Sequence, residues 1–137
     1  MSETKPKELL AQASRDMAGA FSARLCAIGV ELGIFQDLDR NGRSTSEQIA
    51  TRIGLNERYL REWLHGIVLS GYVEFDKTTR EAWLSAQQAQ VLVDEGGRFA
   101  QYGAFKLLNS ALLPYDKLLA AFRGGGGIGF EDYPPAL

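Results

Sequence analysis

The stretch Ser44-Thr-Ser-Glu-Gln-Ile-Ala-Thr-Arg-Ile-Gly54-Leu-Asn-Glu-Arg-Tyr-Leu-Arg-Glu-Trp-Leu-His-Gly-Ile-Val-Leu-Ser70 decides the fold, with the segment Gly71 to Ser85 that follows it. Ser44 stands three residues before Glu47, the spacing of a capping box, and predicts a helix through Ile49, Ala50 and Ile53. Gly54 ends it, because glycine takes the left-handed conformation after a helix without a steric penalty. Leu55 and Asn56 make a short turn, and Asn56 is placed to cap a second helix from Glu57 to Ser70. Tyr59, Leu60, Trp63, Leu64, Ile67 and Val68 form the apolar stripe of that helix. Arg58, Arg61, Glu62 and His65 form its wet face. Gly71 stops the helix. Tyr72-Val73-Glu74-Phe75 alternates toward a polar turn at Asp76 to Arg80, and Ala82-Trp83-Leu84 returns as a second strand. Helix, turn, helix and hairpin make a winged helix–turn–helix, with the helical pair over 44–70 and the wing over 72–85.

Outward from that centre the chain is mostly helical, so the fold class is mostly α. Toward the N-terminus one helix is expected from about Pro6 to Gly19. A second pattern follows at spacings of three and four: Met17, Phe21, Leu25, Ile28, Leu32 and Phe35. Gly29 calls for close packing against a neighbouring helix, whereas Gly33 is placed to end the helix. Asp39 to Arg43 reads as a polar loop. Toward the C-terminus, Ala86 to Asp94 predicts a short helix broken by Gly96-Gly97. The 24 residues from Phe99 to Phe122 hold only three charges, Lys106, Asp116 and Lys117. Pro114 divides them into two helices and sits in the first turn of the second. Apolar residues occupy most sides of both, so these helices need a second burial partner. Gly124 to Gly127 is a hinge. The expected organisation is one domain over 1–123, with post-wing helices at 86–123, and a glycine-rich linker over 124–137.

Composition narrows the function. A chain of 137 residues buries roughly two thirds of its unfolded surface without disulfides. Its single cysteine, Cys26, fits a reducing compartment and a buried structural thiol. No apolar run reaches the roughly 18 residues that span a bilayer, and Met1 to Lys7 is polar, so a cytoplasmic protein is the default. One cysteine and the single histidine, His65, cannot build a four-ligand zinc site, and His65 has no partner for acid–base chemistry. No metal site and no catalytic residue is expected. Arg58, Arg61 and His65, with Lys77 and Arg80 on the wing, are the candidate DNA-binding set. Against it, the formal net charge is −2, and six basic residues face six acidic ones between Asn41 and Ser85. A DNA reader draws most of its affinity from phosphate neutralisation, which a neutral head does not supply. Gly124, Gly126 and Gly129 fit G-x-G-x-x-G by count. That cradle needs a strand before it and a helix after it, and this one follows a helix.

The order of the pieces resembles the N-terminal region of the S-adenosylmethionine-dependent methyltransferases that act on small molecules. Glu31-Leu-Gly-Ile-Phe-Gln-Asp-Leu38 is similar to their "ELGIFDxL" opening, and Gly54-Leu-Asn-Glu-Arg-Tyr-Leu60 to the helix–turn–helix that follows it. Leu69-Ser-Gly-Tyr-Val73 is similar to the "LxxxGxx" entry to the wing. Gly126-Gly-Ile-Gly-Phe130 and Tyr133 resemble the "GGxPFxxY" linker, with Gly129 where proline is usual. The resemblance covers nearly the whole chain. It implies a homodimerising winged-helix region that does not read DNA and that helps to roof a small-molecule substrate pocket. Phe105, Asn109, Phe130 and Tyr133 are the implied wall residues. It also implies S-adenosylmethionine as cofactor of the parent enzyme and none in this chain, which lacks the strand–loop–helix of the cofactor site. On that reading the polypeptide is a fragment or a natural truncation without the catalytic domain. Two other readings stand beside it: a small DNA-binding transcriptional regulator, and a free-standing interaction module.

Overall fold

The computed structural model describes residues 3–134. One long helix opens the chain, α1 (Thr4–Glu31), followed by α2 (Ile34–Asn41), α3 (Ser46–Ile53) and α4 (Glu57–Leu69). Strands β1 (Glu74–Asp76) and β2 (Glu81–Trp83) pair antiparallel, Phe75 opposite Ala82. Helices α5 (Ala86–Leu92), α6 (Tyr102–Ala111) and α7 (Tyr115–Gly124) follow, then a 3-10 turn at Phe130–Asp132. This is the winged helix–turn–helix expected from the sequence, with helices added on both sides.

The core joins the second half of α1 to α2, α3 and α4. Cys26, Val30, Ile34, Phe35, Leu38, Ile49, Leu60, Trp63, Leu64 and Ile67 are all buried in it. Gly29 is the close approach: a Cβ there would lie 2.5 Å from Phe35 Cε2 and 2.7 Å from Trp63 Cζ2. The Phe35 and Trp63 rings meet at 5.5 Å between centroids, and Trp63 Nε1–H donates to the Leu25 carbonyl at 2.8 Å. Ser22 and Ser70 add a hydroxyl pair at 2.9 Å between α1 and the end of α4.

Several boundaries differ from the sequence reading. The two expected N-terminal helices are one, because nothing at Gly19 turns the chain. Gly33, with φ +76°, does, and Ile34 to Asn41 then forms its own helix where a loop was expected after Leu38. The capping box of α3 is Thr45 with Gln48, one residue after Ser44 and Glu47. Ser44 is taken by an isolated bridge to Ala82, its N–H donating to the Ala82 carbonyl at 3.0 Å and its carbonyl accepting at 2.8 Å. A residue held in that bridge passes the cap to its neighbour. Asn56 caps α4, accepting from the Tyr59 N–H at 3.2 Å, as expected. Tyr59 itself is exposed rather than part of the apolar stripe. β1 starts at Glu74, two residues later than Tyr72, and runs to Asp76, whereas β2 starts at Glu81, one residue ahead of Ala82, and ends at Trp83. Pro114 stands just ahead of α7 as its cap, not within its first turn.

Candidate functional site

The residues singled out by sequence fall in two places, the face of α4 with the wing and the helices after the wing. On the first, Arg61 is half-buried and pairs with Glu57 at 3.4 Å, and His65 lies 3.9 Å from Glu62. Arg61, His65 and Arg80, with Ser46, Leu64 and Phe75, line a hollow of only about 20 Å3. Arg58 and Lys77 are exposed. Arg80 has φ +60°, the single positive φ outside glycine among the described residues, at the end of the wing turn. Across the base of the wing Arg43 reaches Asp76 at 3.1 Å and Glu81 at 3.2 Å and lies over the Trp83 ring at 3.9 Å. The N–H groups of Thr78 and Thr79, then Arg43, hold the Asp76 carboxyl below its ordinary range. The Glu47 carboxyl is also lowered, chiefly by its own backbone N–H, with a smaller contribution from Arg80. The cations of this face are interleaved with carboxylates, several of them already paired.

On the second, Phe105 is half-buried, its ring edge-on to Tyr72 at 6.1 Å. Asn109, one turn on, borders a groove of about 620 Å3 between α1 and α6, whose other walls include Asp16, Ala20, Ala23, Leu108 and Leu112. Its Oδ1 is buried and accepts no hydrogen bond from protein. Phe130 is exposed and Tyr133 half-buried. Both lie on the segment after α7, which an ion pair between Lys117 and Asp132 ties back to that helix. Thus Phe105 and Asn109 share one face of α6, while Phe130 and Tyr133 belong to a separate stretch of chain. The linker positions 135–137 lie outside the described residues.

A third feature escaped the sequence reading. Asp37, buried on α2, takes both Arg52 Nε at 3.0 Å and Arg52 Nη2 at 2.7 Å, and Asn41 Nδ2 donates to it at 3.1 Å. Arg52 Nη2 also donates to Ser44 Oγ at 2.7 Å. Asp37 raises the Arg52 guanidinium above its ordinary pKa through these bonds. The network fastens α2 to α3 and to the strand bridge. No local spacing announces it, since its members lie up to 15 residues apart.

The largest open feature is apolar. Leu9, Leu10, Met17 and Phe21 of α1 are exposed, as are Leu107, Leu108 and Leu112 on α6 and Tyr115, Leu118 and Phe122 on α7. Phe122 is 84% exposed. A second cleft of about 450 Å3 runs beside α4, bounded by Leu25, Ile28, Leu32, Leu55 and Tyr59. Among the described residues no single helix is long and apolar enough to cross a membrane. Among the described residues no group of three or more metal-ligating side chains comes together. The glycine run does not fit a cofactor cradle either. Gly125, Gly126 and Gly127 all take positive φ and lead to a 3-10 turn, and among the described residues no α-helix follows them to offer an N-terminus to a pyrophosphate.

Residues 20–94, more than half of the chain, match the family model described as the Rv2258c-like winged HTH domain. The chain belongs to that family. The Rv2258c-like match runs from mid-α1 through α5. No curated protein matches the chain significantly. Solved structures share the fold. The mitomycin 7-O-methyltransferase MmcR superposes with a TM-score of 0.69 at 21% identity, over 92% of this chain and 37% of its own. PigF, solved with SAH, gives 0.68 at 21% identity, over 82% of this chain and 33% of its own. An O-methyltransferase family 2 protein from Planctomyces limnophilus, solved with apigenin, gives 0.58 at 21% identity, over 85% and 33%. The chain therefore spans about a third of the length of the structures it matches.

Proposed function

We infer that this Rv2258c-like domain is the dimerisation and substrate-pocket-shaping N-terminal domain of a small-molecule S-adenosylmethionine-dependent methyltransferase acting in the cytoplasm. One observation carries the reading. On a fold shared with O-methyltransferases, the helices flanking the winged helix keep a broad apolar surface open along α1, α6 and α7. Exposed apolar surface of that extent is the mark of an interaction face, and a second copy of the chain is the simplest cover. The groove between α1 and α6 supplies the wall of a small-molecule site, with Asn109 offering a hydrogen-bond acceptor and Phe105 an aromatic edge close by. Phe130 and Tyr133, on the glycine-hinged segment apart from this groove, are assigned to the same site by the family resemblance alone. The methyl-transfer chemistry and the S-adenosylmethionine site are assigned to a catalytic domain working with this one. Sedimentation velocity over a wide concentration range tests the reading. A reversible monomer–dimer equilibrium is expected, and a concentration-independent monomer overturns it.

A further inference from the structure

The cleft beside α4 shares no lining residue with the α1–α6 groove and carries a chemistry of its own. Leu25, Ile28 and Leu32 reach it from one face of α1, at steps of three and four. Glu62 and Trp63, three and four residues after Tyr59, reach it with Tyr59 from one face of α4. The two helices are locked together beside it: Gly29 lets α1 close on Trp63, and the Leu25 carbonyl holds the Trp63 indole at 2.8 Å. At about 450 Å3 the cleft falls within the ~300–1,000 Å3 of small-molecule sites. Its lining is mainly aliphatic and aromatic. Asn56 stands at its edge, with the side-chain carbonyl already engaged in capping α4. Glu62 is the one charged residue among the described lining residues, and no cationic side chain joins it there. His65 Nδ1 lies 3.9 Å from Glu62, beyond hydrogen-bond reach, and is not part of the cleft. Tyr59, 79% exposed, stands about one helical turn before Glu62.

We propose that this cleft is a second small-molecule site, selective for a lipophilic cation, in which an apolar body lies against Ile28, Leu32 and Leu55 and an ammonium group meets the Glu62 carboxylate and the Tyr59 ring. The lining supplies both halves of that recognition. Aliphatic walls over the Trp63 indole take the body out of water. An aromatic face attracts a cation through its quadrupole, and a carboxylate adds a charge-assisted hydrogen bond. The α1 wall from Leu25 to Leu32 is about 10 Å long at 1.5 Å per residue, the length of a two-ring molecule. The sign of the charge follows from the same lining. An anion with the same body is repelled by Glu62, and a neutral one leaves that carboxylate without a partner. The site is separate from the wall between α1 and α6 and does not depend on self-association.

The test is an NMR titration of the isotope-labelled full chain with three probes that share one body: naphthylmethylammonium, naphthylmethanol and naphthylacetate. The Trp63 indole N–H, assigned with Trp83→Phe, reports on the cleft, and the Asn109 side-chain amide reports on the α1–α6 groove. The ammonium is expected to shift the Trp63 signal and leave Asn109 still. It binds about tenfold tighter than the alcohol, and the acetate binds weakest. Glu62→Gln brings the ammonium to within about threefold of the alcohol. Tyr59→Leu keeps an apolar wall without the ring, so it weakens the ammonium about fivefold and the alcohol little. Ile28→Trp and, independently, Leu55→Trp fill the cleft and abolish binding of all three, with far-ultraviolet circular dichroism confirming that each variant keeps its helix content. No shift at Trp63 with any probe, or equal affinity for all three, overturns the proposal. Shifts at Asn109 in place of Trp63 overturn the location. Binding that weakens as the chain is concentrated into a dimer also overturns it, because the cleft then belongs to the second copy.

Discussion

Gly29→Ala tests the packing of α1 on α4. In a helix interior this exchange ordinarily stabilises by about 1 kcal/mol, because alanine has less freedom to lose. Here the added methyl would stand 2.5 Å and 2.8 Å from two carbons of the Phe35 ring and 2.7 Å from Trp63 Cζ2. Ordinary carbon contacts are about 3.5–4.0 Å, so both rings must retreat by about 1 Å. Neither is free to do so: Phe35 is fully buried, and the Trp63 indole is pinned by its bond to Leu25. Overpacking of this kind costs about 1–3 kcal/mol, and two rigid neighbours put the cost at the upper end. The net expectation is a loss of about 1–2 kcal/mol. Gly19→Ala is the internal control, because nothing lies within 4 Å of its added methyl and the helical gain stands alone. Urea unfolding of the three proteins at one fixed concentration reads both differences. If Gly29→Ala is as stable as wild type, or shifts like Gly19→Ala, the close approach of α1 to the aromatic pair is wrong.

Other expectations follow from the same contacts. Thr45→Ala removes the α3 cap and costs about 1 kcal/mol by thermal or urea unfolding, against a few tenths for the exposed Glu47→Ala. Arg52→Met leaves the Asp37 carboxylate buried without its cation and costs about 3 kcal/mol, whereas Arg52→Lys, which cannot donate in a fork, recovers less than half. Burial pushes the Cys26 thiol from about 9 up to about 12. A raised thiol keeps its full contribution below the unfolded value and loses it as pH rises from there toward the folded one. Wild type therefore loses about 1 kcal/mol relative to Cys26→Ala between pH 8 and pH 10, read by urea midpoints at each pH. The same burial makes native Cys26 react with a thiol reagent only at the rate of unfolding.

The winged helix was legible because its signals are local. Gly54 and Asn56 each act on neighbours within a few residues, and the structure keeps both in their expected roles. The cap of α3 slipped by one because Ser44 and Thr45 both satisfy the local rule. Only the pairing of Ser44 with Ala82, 38 residues away, chooses between them. The Asp37–Arg52–Ser44 network was illegible for the same reason: its partners meet only after α2 and α3 have packed. On α1, the spacing of Met17, Phe21 and Ile28 named the apolar side of the helix. Periodicity cannot say whether such a side meets the core or the outside, and here Cys26 and Val30 took the core while Phe21 did not. For the candidate wall, Phe105 and Asn109 could be placed on one helix from sequence, but the groove beside them is made by α1, some 80 residues earlier in the chain.

Arg43 spends its charge inside the molecule. Held between Asp76 and Glu81 and laid on Trp83, it works as a strut that fixes the hairpin against the chain entering α3. Such a strut has few condensed counterions to displace when a polyanion approaches, so the entropy that drives most nucleic-acid association is largely forfeited at this corner. Freeing that charge would mean removing the carboxylates at Asp76 and Glu81, and with them the contacts that hold the hairpin. The rigidity of the wing base and the local neutralisation of its charge thus come from the same three contacts.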